Sequence, residues 1–502
     1  VQWDKYALEG AGIVKVDILG LRFLSSIEDA ATLVKTMTGR RLDLDALTPD
    51  DPEVYDMICR GETLGVFQVE SRAQVNLIPN FQPRTFNDLA IQIALIRPGP
   101  LQANVVRPYL RRRQGKEPVR YPHPRLKAAL ADTLGVLVFQ EQVLKIARDL
   151  AGFTLSDGEL LRRAVGHKRA QEALTRLEAH FMAGARANGV PPAAAQRIFS
   201  QLRAFGGYAF PKSHAAAFAV ITYQSAWLRH YHPAAFFAGL LRHQPMGFYP
   251  ARVVISEARR HGVEIRPADV ASSTRMPQLE DGAIRLGLGA IRGIGEEASA
   301  RLVAARQHGP FRSLADLCRR ARLDRRAAEG LIMAGALDRW GISRRQLLWD
   351  LEAALEQANA PPGLDLDCAN ALTFAALPER DRLWMERGAT ATPNRGPLTE
   401  RVREQLHALG VTPSTALNRW PDGTRIRVGG AVVARQQPPT ANGMAFLALE
   451  DTEGFVNVAL PPSVVTAYRR MILAPFVLVE GKVARDGAAL NVMGSRVLAL
   501  VG

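Results

Sequence analysis

The hydrophobic pattern changes period once, at Arg425, and that change limits what the chain can fold into. Beyond it come five β-rich runs: IRVGGAVVARQ, MAFLALED, FVNVALP, FVLVEGKVAR and ALNVMGSRVLAL. Asn442-Gly443, Glu453-Gly454 and Asp486-Gly487 punctuate them as turns. A helical insert, Pro462–Met471, separates the third run from the fourth, so the spacing predicts a small five-stranded barrel. Upstream, from Ser25 to about Val270, apolar residues recur at three- and four-residue spacing. Breaks such as Arg97-Pro98-Gly99-Pro100 divide that stretch into helices. A smaller helical region covers roughly 285–357. Residues 358–400, rich in Ala, Pro, Asn and Gly, read as a linker or a loosely packed connector. Residues 1–24 read as a loop feeding one short strand that Gly20 closes. The fold class expected is multidomain α+β.

With 502 residues the chain can hold several cores. No run of about eighteen apolar residues occurs, which excludes a membrane-spanning helix from the sequence pattern. The chain starts at Val1 without a charged segment leading into an apolar one, so a signal peptide is not expected and a fragment is. Cys59, Cys318 and Cys368 are widely spaced and form no CxxC, which fits a reducing, cytoplasmic setting and argues against structural zinc. Lys and Arg number 64 against 49 Asp and Glu, a formal charge of +15. Such an excess favours a polyanionic partner. The richness in Arg and Ala also fits a high-GC codon bias, so charge alone does not decide.

Several constellations bear on chemistry. In Lys15-Val16-Asp17-Ile18-Leu19-Gly20-Leu21, strand geometry puts Lys15 and Asp17 on one face. A carboxylate for Mg²⁺ beside a cation for phosphate suits phosphoryl transfer, and an exposed Lys–Asp pair on an edge strand is the alternative. Ser156-Asp157-Gly158-Glu159 has capping-box spacing ahead of Leu160, which predicts a helix start. Arg162, Arg163, His167, Lys168 and Arg169 then crowd one helix and its end, where an anion would compensate their repulsion. Ser213, in Lys212-Ser213-His214, could cap an apolar helix starting near Ala215. Gly289–Gly295, with Arg292, Gly293 and Gly295, reads as a Gly-rich turn joining two helices, a hairpin whose amides could grip a DNA phosphate. A second helical pair ends at Met333-Ala334-Gly335-Ala336-Leu337. On the expected barrel, whose layout is that of an OB-fold, Arg425, Arg427, Arg435 and Lys482 are basic, and Phe446 and Phe455 are candidate stacking platforms.

These segments together resemble the bacterial family C DNA polymerases, the DNA polymerase III alpha subunit family. KVDILGL is similar to the palm motif with the third metal-binding aspartate. GVFQVES (65–71), ALIRPGP (94–100), GVLVFQEQV (135–143), LLRRAVGHK (160–168) and FPKSHAAAFA (210–219) follow in the family's order and approximate spacing. The resemblance is strong over about 1–340 and weaker beyond. It implies the end of a palm at 1–24, fingers at 25–270, tandem helix-hairpin-helix at 271–357, a connector at 358–424 and a nucleic-acid-binding OB-fold at 425–502. Asp17 would be a catalytic Mg²⁺ ligand. Lys15, Arg162, Arg163, Lys168 and His214 would face the nucleotide, and Gly293, Gly295, Arg292, Lys212 and Arg435 the DNA. Gln68, Arg97, Gln140 and Glu141 would lie near the active site.

The activity implied is DNA-directed DNA synthesis on primer–template DNA with dNTPs, in replication or damage tolerance. A sliding clamp and mutasome or replisome subunits are candidate partners. The family's D-x-D pair is expected before KVDILGL, and the LDLD strings at 42–45 and 364–367 come too late to supply it. The fragment alone is therefore expected to be inactive. Gly207–Ala215, with Pro211, and HQPMGFYP (243–250) resemble the error-prone branch, whereas RRAVGHK resembles the replicative one. The error-prone branch is favoured. A noncatalytic DNA-binding or scaffold module is the competing class.

Overall fold

The computed structural model describes residues 11–12, 20–97, 105–166, 171–205, 210–247, 249–361, 372–390, 403–438, 441–487 and 489–500. Lys15, Asp17, His167, Lys168, Arg169, Asp365 and Asp367 lie outside them. No helix among the described residues is long and apolar enough to cross a membrane.

Among the described residues of the first half the longer helices are α1 (Leu21–Thr38), α2 (Pro52–Cys59), α3 (Arg72–Phe81), α4 (Phe86–Leu95), α5 (Val106–Arg113), α6 (Gln140–Ala151), α7 (Leu155–Gly166), α8 (Gln171–Ala187), α9 (Pro192–Phe205), α10 (Lys212–Tyr231), α11 (Pro233–Arg242) and α12 (Ala251–Arg260). Local chemistry sets their starts. Asp51 accepts the Glu53 N–H ahead of Pro52, Ser71 accepts from Gln74, and Thr85 and Asp88 cap each other reciprocally. The cap of α7 sits two residues before the expected Ser156 box. Thr154 Oγ1 accepts the Asp157 N–H at 3.1 Å and Asp157 returns the bond at 3.3 Å. Glu159 is thereby left to other partners. The long α10 is the hub, packed against α4, α2, α1 and α11. Its Ala215, Ala219, Tyr223 and Ala226 are small or flat enough to let α4 approach, and both helices bury into one cluster. Helices α6 to α9 gather a separate apolar core around Leu150, Phe181, Phe199 and Leu202.

A small sheet follows, ordered β1-β3-β2: β1 (Ile265–Arg266), β2 (Gln278–Glu280) and β3 (Ala283–Arg285). Beyond it come α13 (Glu296–Gln307), α14 (Leu314–Ala321) and α15 (Arg325–Met333). One apolar cluster runs from α1 through α11, α12 and this sheet into α15, so it crosses residue 270. The Gly-rich turn does not join two full helices as expected. Before it stands one 3₁₀ turn, Leu288–Ala290, preceded by Gly287, which lies against backbone; a Cβ there would meet the Arg275 carbonyl at 2.2 Å. The expected loose connector is partly docked. Helix α16 (Glu379–Ala389) packs on α15, Ala389 accepts the Arg292 N–H at 2.7 Å, and buried Glu386 meets buried Arg344 at 2.8 Å.

The C-terminal strands β4 (Arg425–Gln436), β5 (Ala445–Glu450), β6 (Phe455–Leu460), β7 (Phe476–Asp486) and β8 (Ala489–Ala499) close a barrel in the order β4-β5-β6-β8-β7. Two short helices, Pro462–Ala467 and Arg469–Ile472, fill the position expected for the insert. Alternate residues such as Val428, Leu447, Val458, Val479 and Val492 fill the interior, as period-two patterning requires.

Candidate functional site

The loop after α2 turns sharply because Gly65 and Gln68 take left-handed backbone, at φ 77° and 61°. A non-glycine residue there is held by its surroundings. Phe67 donates its N–H to Ser225 and accepts from Thr222 on α10, at 3.2 and 3.0 Å. Gln68 accepts from Arg97 at 3.3 Å, and the Arg97 guanidinium lies 4.4 Å over the Phe210 ring. From Phe210 the ring contacts continue to His214 at 5.0 Å, from His214 to Phe218 at 4.1 Å, and from Phe218 to Phe67 at 5.1 Å. His214 is exposed at the mouth of this string, unlike a packed core histidine. Gly20, within KVDILGL, stands against the same Phe67; a Cβ there would touch its ring at 3.0 Å.

Helix α6 joins from the other side. Gln140 donates its N–H to the Phe210 carbonyl at 3.0 Å. Both Glu141 carboxylate oxygens accept the Lys212 N–H at 2.9 Å, so α10 is capped from α6. Ser213 is therefore not the cap: α10 begins at Lys212, and a full carboxylate suits the helix dipole better than a hydroxyl. Lys212 Nζ reaches Asp132 at 2.7 Å and holds that carboxyl below its ordinary value.

On α7, Arg162 donates to Gln140 at 3.2 Å and to both oxygens of Glu159 at 2.8 and 2.6 Å. Arg163, 69% exposed, donates to the same Glu159 at 2.9 Å. The paired guanidiniums, Arg162 first, hold the Glu159 carboxyl at about 2. Five of the sequence segments thus meet through bonded or ring contacts, while Asp17, Lys15 and Lys168 lie outside the described residues. Among those described, no three His, Cys, Asp or Glu side chains gather as a metal cluster would require.

The DNA-side candidates lie elsewhere. Gly293 takes φ 87°, and a Cβ on it would lie 3.0 Å from the Arg326 carbonyl; one on Gly330 would meet the Arg292 carbonyl at 2.3 Å. The turn and α15 are therefore in backbone contact. Arg292 is exposed, and Gly295 caps α13 with open space around it. Arg435 donates to the carbonyls of Ile472, Leu473 and Ala474 at 2.6, 3.0 and 2.5 Å, which pins the end of the barrel's short helix. The stacking platforms expected at Phe446 and Phe455 face partners within the chain. Arg72 covers Phe446 at 5.0 Å; Arg260 and Tyr249 cover Phe455 at 4.6 and 6.2 Å.

Two family descriptions match. The bacterial DNA polymerase III alpha subunit finger domain matches 23–189, and a helix-hairpin-helix motif matches 262–347. A curated error-prone DNA polymerase of Mycolicibacterium paratuberculosis is 43% identical over 99% of this chain and 46% of its own length. Those of Corynebacterium efficiens and Anaeromyxobacter dehalogenans are 42% and 41% identical, over 99% and 98% of this chain and 46% and 45% of their own. Over nearly its whole length the chain is similar to these curated error-prone DNA polymerases. It spans about half the length of the curated relatives it matches.

The sequence motifs place Gln68, Arg97, Gln140 and Glu141 only in the neighbourhood of the site; in the structure they tie its segments together. Capping-box spacing predicts Glu159 as a capping residue, and no sequence motif marks Asp132. The spacing of Glu159 to Arg162 and Arg163, three and four residues on one helix, was the available signal. Asp132 and Lys212 are 80 positions apart, and no local pattern links them.

Proposed function

We propose that this chain is the palm-end, fingers, hairpin and barrel portion of an error-prone, DNA-directed DNA polymerase acting in the cytoplasm. Its parts are the palm strand (1–24), fingers (25–270), tandem helix-hairpin-helix (271–357), connector (358–424) and single-strand-binding barrel (425–502). In the reaction, a primer 3′-hydroxyl attacks the α-phosphorus of a dNTP and the bond to pyrophosphate breaks. Negative charge then builds on the leaving group, where fixed cations lower its energy.

Arg162 and Arg163, with Lys15 and Lys168, take the triphosphate, which replaces Glu159 as the anion between the two guanidiniums. His214 lies beside the nucleotide, backed by Phe210 and Phe218. Asp17 would be among the residues that hold Mg²⁺, which would supply further charge neutralisation. The turn amides at Gly293 and Gly295, together with Arg292, take a DNA phosphate; Lys212 lies along the primer–template path. Arg435 offers DNA only what its three carbonyl bonds leave.

The observation that supports this reading is the contact chain Gln68–Arg97–Phe210–Gln140–Arg162. It joins segments far apart in sequence around a pair of guanidiniums held by an exchangeable carboxylate. The test is a titration of dNTP and Mg²⁺ into the longer protein that contains this chain, bound to primer–template DNA. The templated nucleotide should tighten the complex, and Arg162→Ala with Arg163→Ala should remove that effect. A noncatalytic DNA-binding scaffold would show salt-dependent binding and no nucleotide effect.

A further inference from the structure

An OB-fold usually binds nucleic acid across its second and third strands and the loops beside them. In this chain that face is closed from within. Arg72 donates to the carbonyls of Leu447 on β5 and Val458 on β6, at 2.8 and 2.9 Å. Asn76 meets Asn457 and Asn491, at 3.0 and 3.3 Å. Buried Glu450, at the end of β5, is held by Arg252 and Arg260 at 3.2 and 3.4 Å. The β7–β8 turn is occupied too, since a Cβ on Gly487 would lie 2.2 Å from the Asn80 side chain.

The ring order β4-β5-β6-β8-β7 leaves one strand, β7, adjacent to neither β5 nor β6. There a cleft of about 800 Å³ opens, lined by Trp420, Arg425, Arg427, Lys482, Met493 and Ser495 among others. Register explains the grouping: Arg425 pairs with Lys482, Arg427 with Glu480, and Lys482 with Met493. These alternate positions point outward together while Ile426 between them is buried. Arg427 is partly neutralised by Glu480 at 3.0 Å. Arg425 and Lys482 are exposed. Trp420 is 43% exposed and Met493 39%. An indole and a thioether left in water between cations are the surfaces on which an unpaired base stacks.

We propose that single-stranded DNA crosses the barrel here, with a base on Trp420 and phosphates on Arg425, Arg427 and Lys482, and not over β5 and β6. This rests on the reading of the barrel as a single-strand binder.

The test uses the whole 502-residue chain and an oligo-dT of roughly 16 nucleotides carrying photoreactive iodouracil. Crosslinks are expected on peptides covering 412–427 and 480–496. Crosslinks confined to 446–458 would overturn the face while keeping the barrel as a binder; crosslinks only outside 403–500 would overturn both. Trp420→Ala should weaken binding roughly 5- to 150-fold with an unchanged melting temperature. Arg425→Ala with Lys482→Ala should lower the slope of log K against log salt by about 1.4. Unchanged affinity and slope in these variants would also refute the assignment.

Discussion

Glu159 and Glu257 each hold two arginines, and they differ in where they do it. Glu159 holds Arg162 and Arg163 on the surface of helix α7 with 37% of its side chain exposed. Glu257 holds Arg229 and Arg260 at 2.7 and 3.1 Å with 9% exposed, and the Arg229 side chain is wholly buried. Burial pushes the Glu257 carboxyl up, but Arg229 and Arg260 outweigh it and the net shift is downward. The surface clamp can hand its arginines to another anion at little cost, because water screens both states. The buried clamp cannot, because releasing either partner strands a charge in a dry interior. The first arrangement is suited to a ligand site and the second to a structural tie. Arg260 extends the second from Glu257 to Glu450, and so from helix α12 to the barrel.

Breaking the buried clamp should have the largest effect. Glu257→Ala is expected to lower stability by about 3–5 kcal/mol, read as a shift in the urea midpoint, since Arg229 loses its counter-ion. A cost below about 1 kcal/mol would erase the distinction between the clamps. Next comes the barrel contact. Arg72, mostly buried and pushed down to about 10 by that burial, donates to two barrel carbonyls. Arg72→Ala should cost about 1.5–3 kcal/mol and make the segment between α16 and β4 easier to cleave by limited proteolysis. Glu159→Gln should change stability by less than about 1 kcal/mol. Freed of their carboxylate, the two arginines should then bind dNTP roughly two- to fivefold more tightly, measured by nucleotide titration. The smallest effect is on pH. The Glu159 carboxyl ionises at about 2 when folded against an ordinary 4.5. Its clamp is therefore complete above pH 4.5 and fades as pH falls towards 2, which a carboxyl carbon NMR titration would follow.

Patterns that repeat along the chain were legible in the sequence. Period-two alternation located the barrel strands and their helical insert, and Gly293 marked a turn that only a residue tolerant of φ 87° fits easily. Long-range matters were not legible. Thr154-x-x-Asp157 and Ser156-x-x-Glu159 have the same spacing, and what separates them is that Arg162 and Arg163 take Glu159. Ser213 lost the α10 cap to Glu141, 71 positions from Lys212. Phe446 and Phe455 alternate outward as a ligand platform would, but an outward face can equally serve another part of the same chain. Composition could not show that residues 379–389 dock, because docking depends on a buried Glu386–Arg344 pair.

Arg162 and Arg163 are proposed to serve the nucleotide and not the fold. The most direct test is steady-state extension by the longer protein carrying Arg162→Ala and Arg163→Ala. Loss of two charge-assisted contacts should lower kcat/KM for dNTP by roughly 10²- to 10⁴-fold. Primer–template affinity and melting temperature should stay unchanged. An unaltered kcat/KM, or a loss matched by weaker DNA binding or unfolding, would contradict the account.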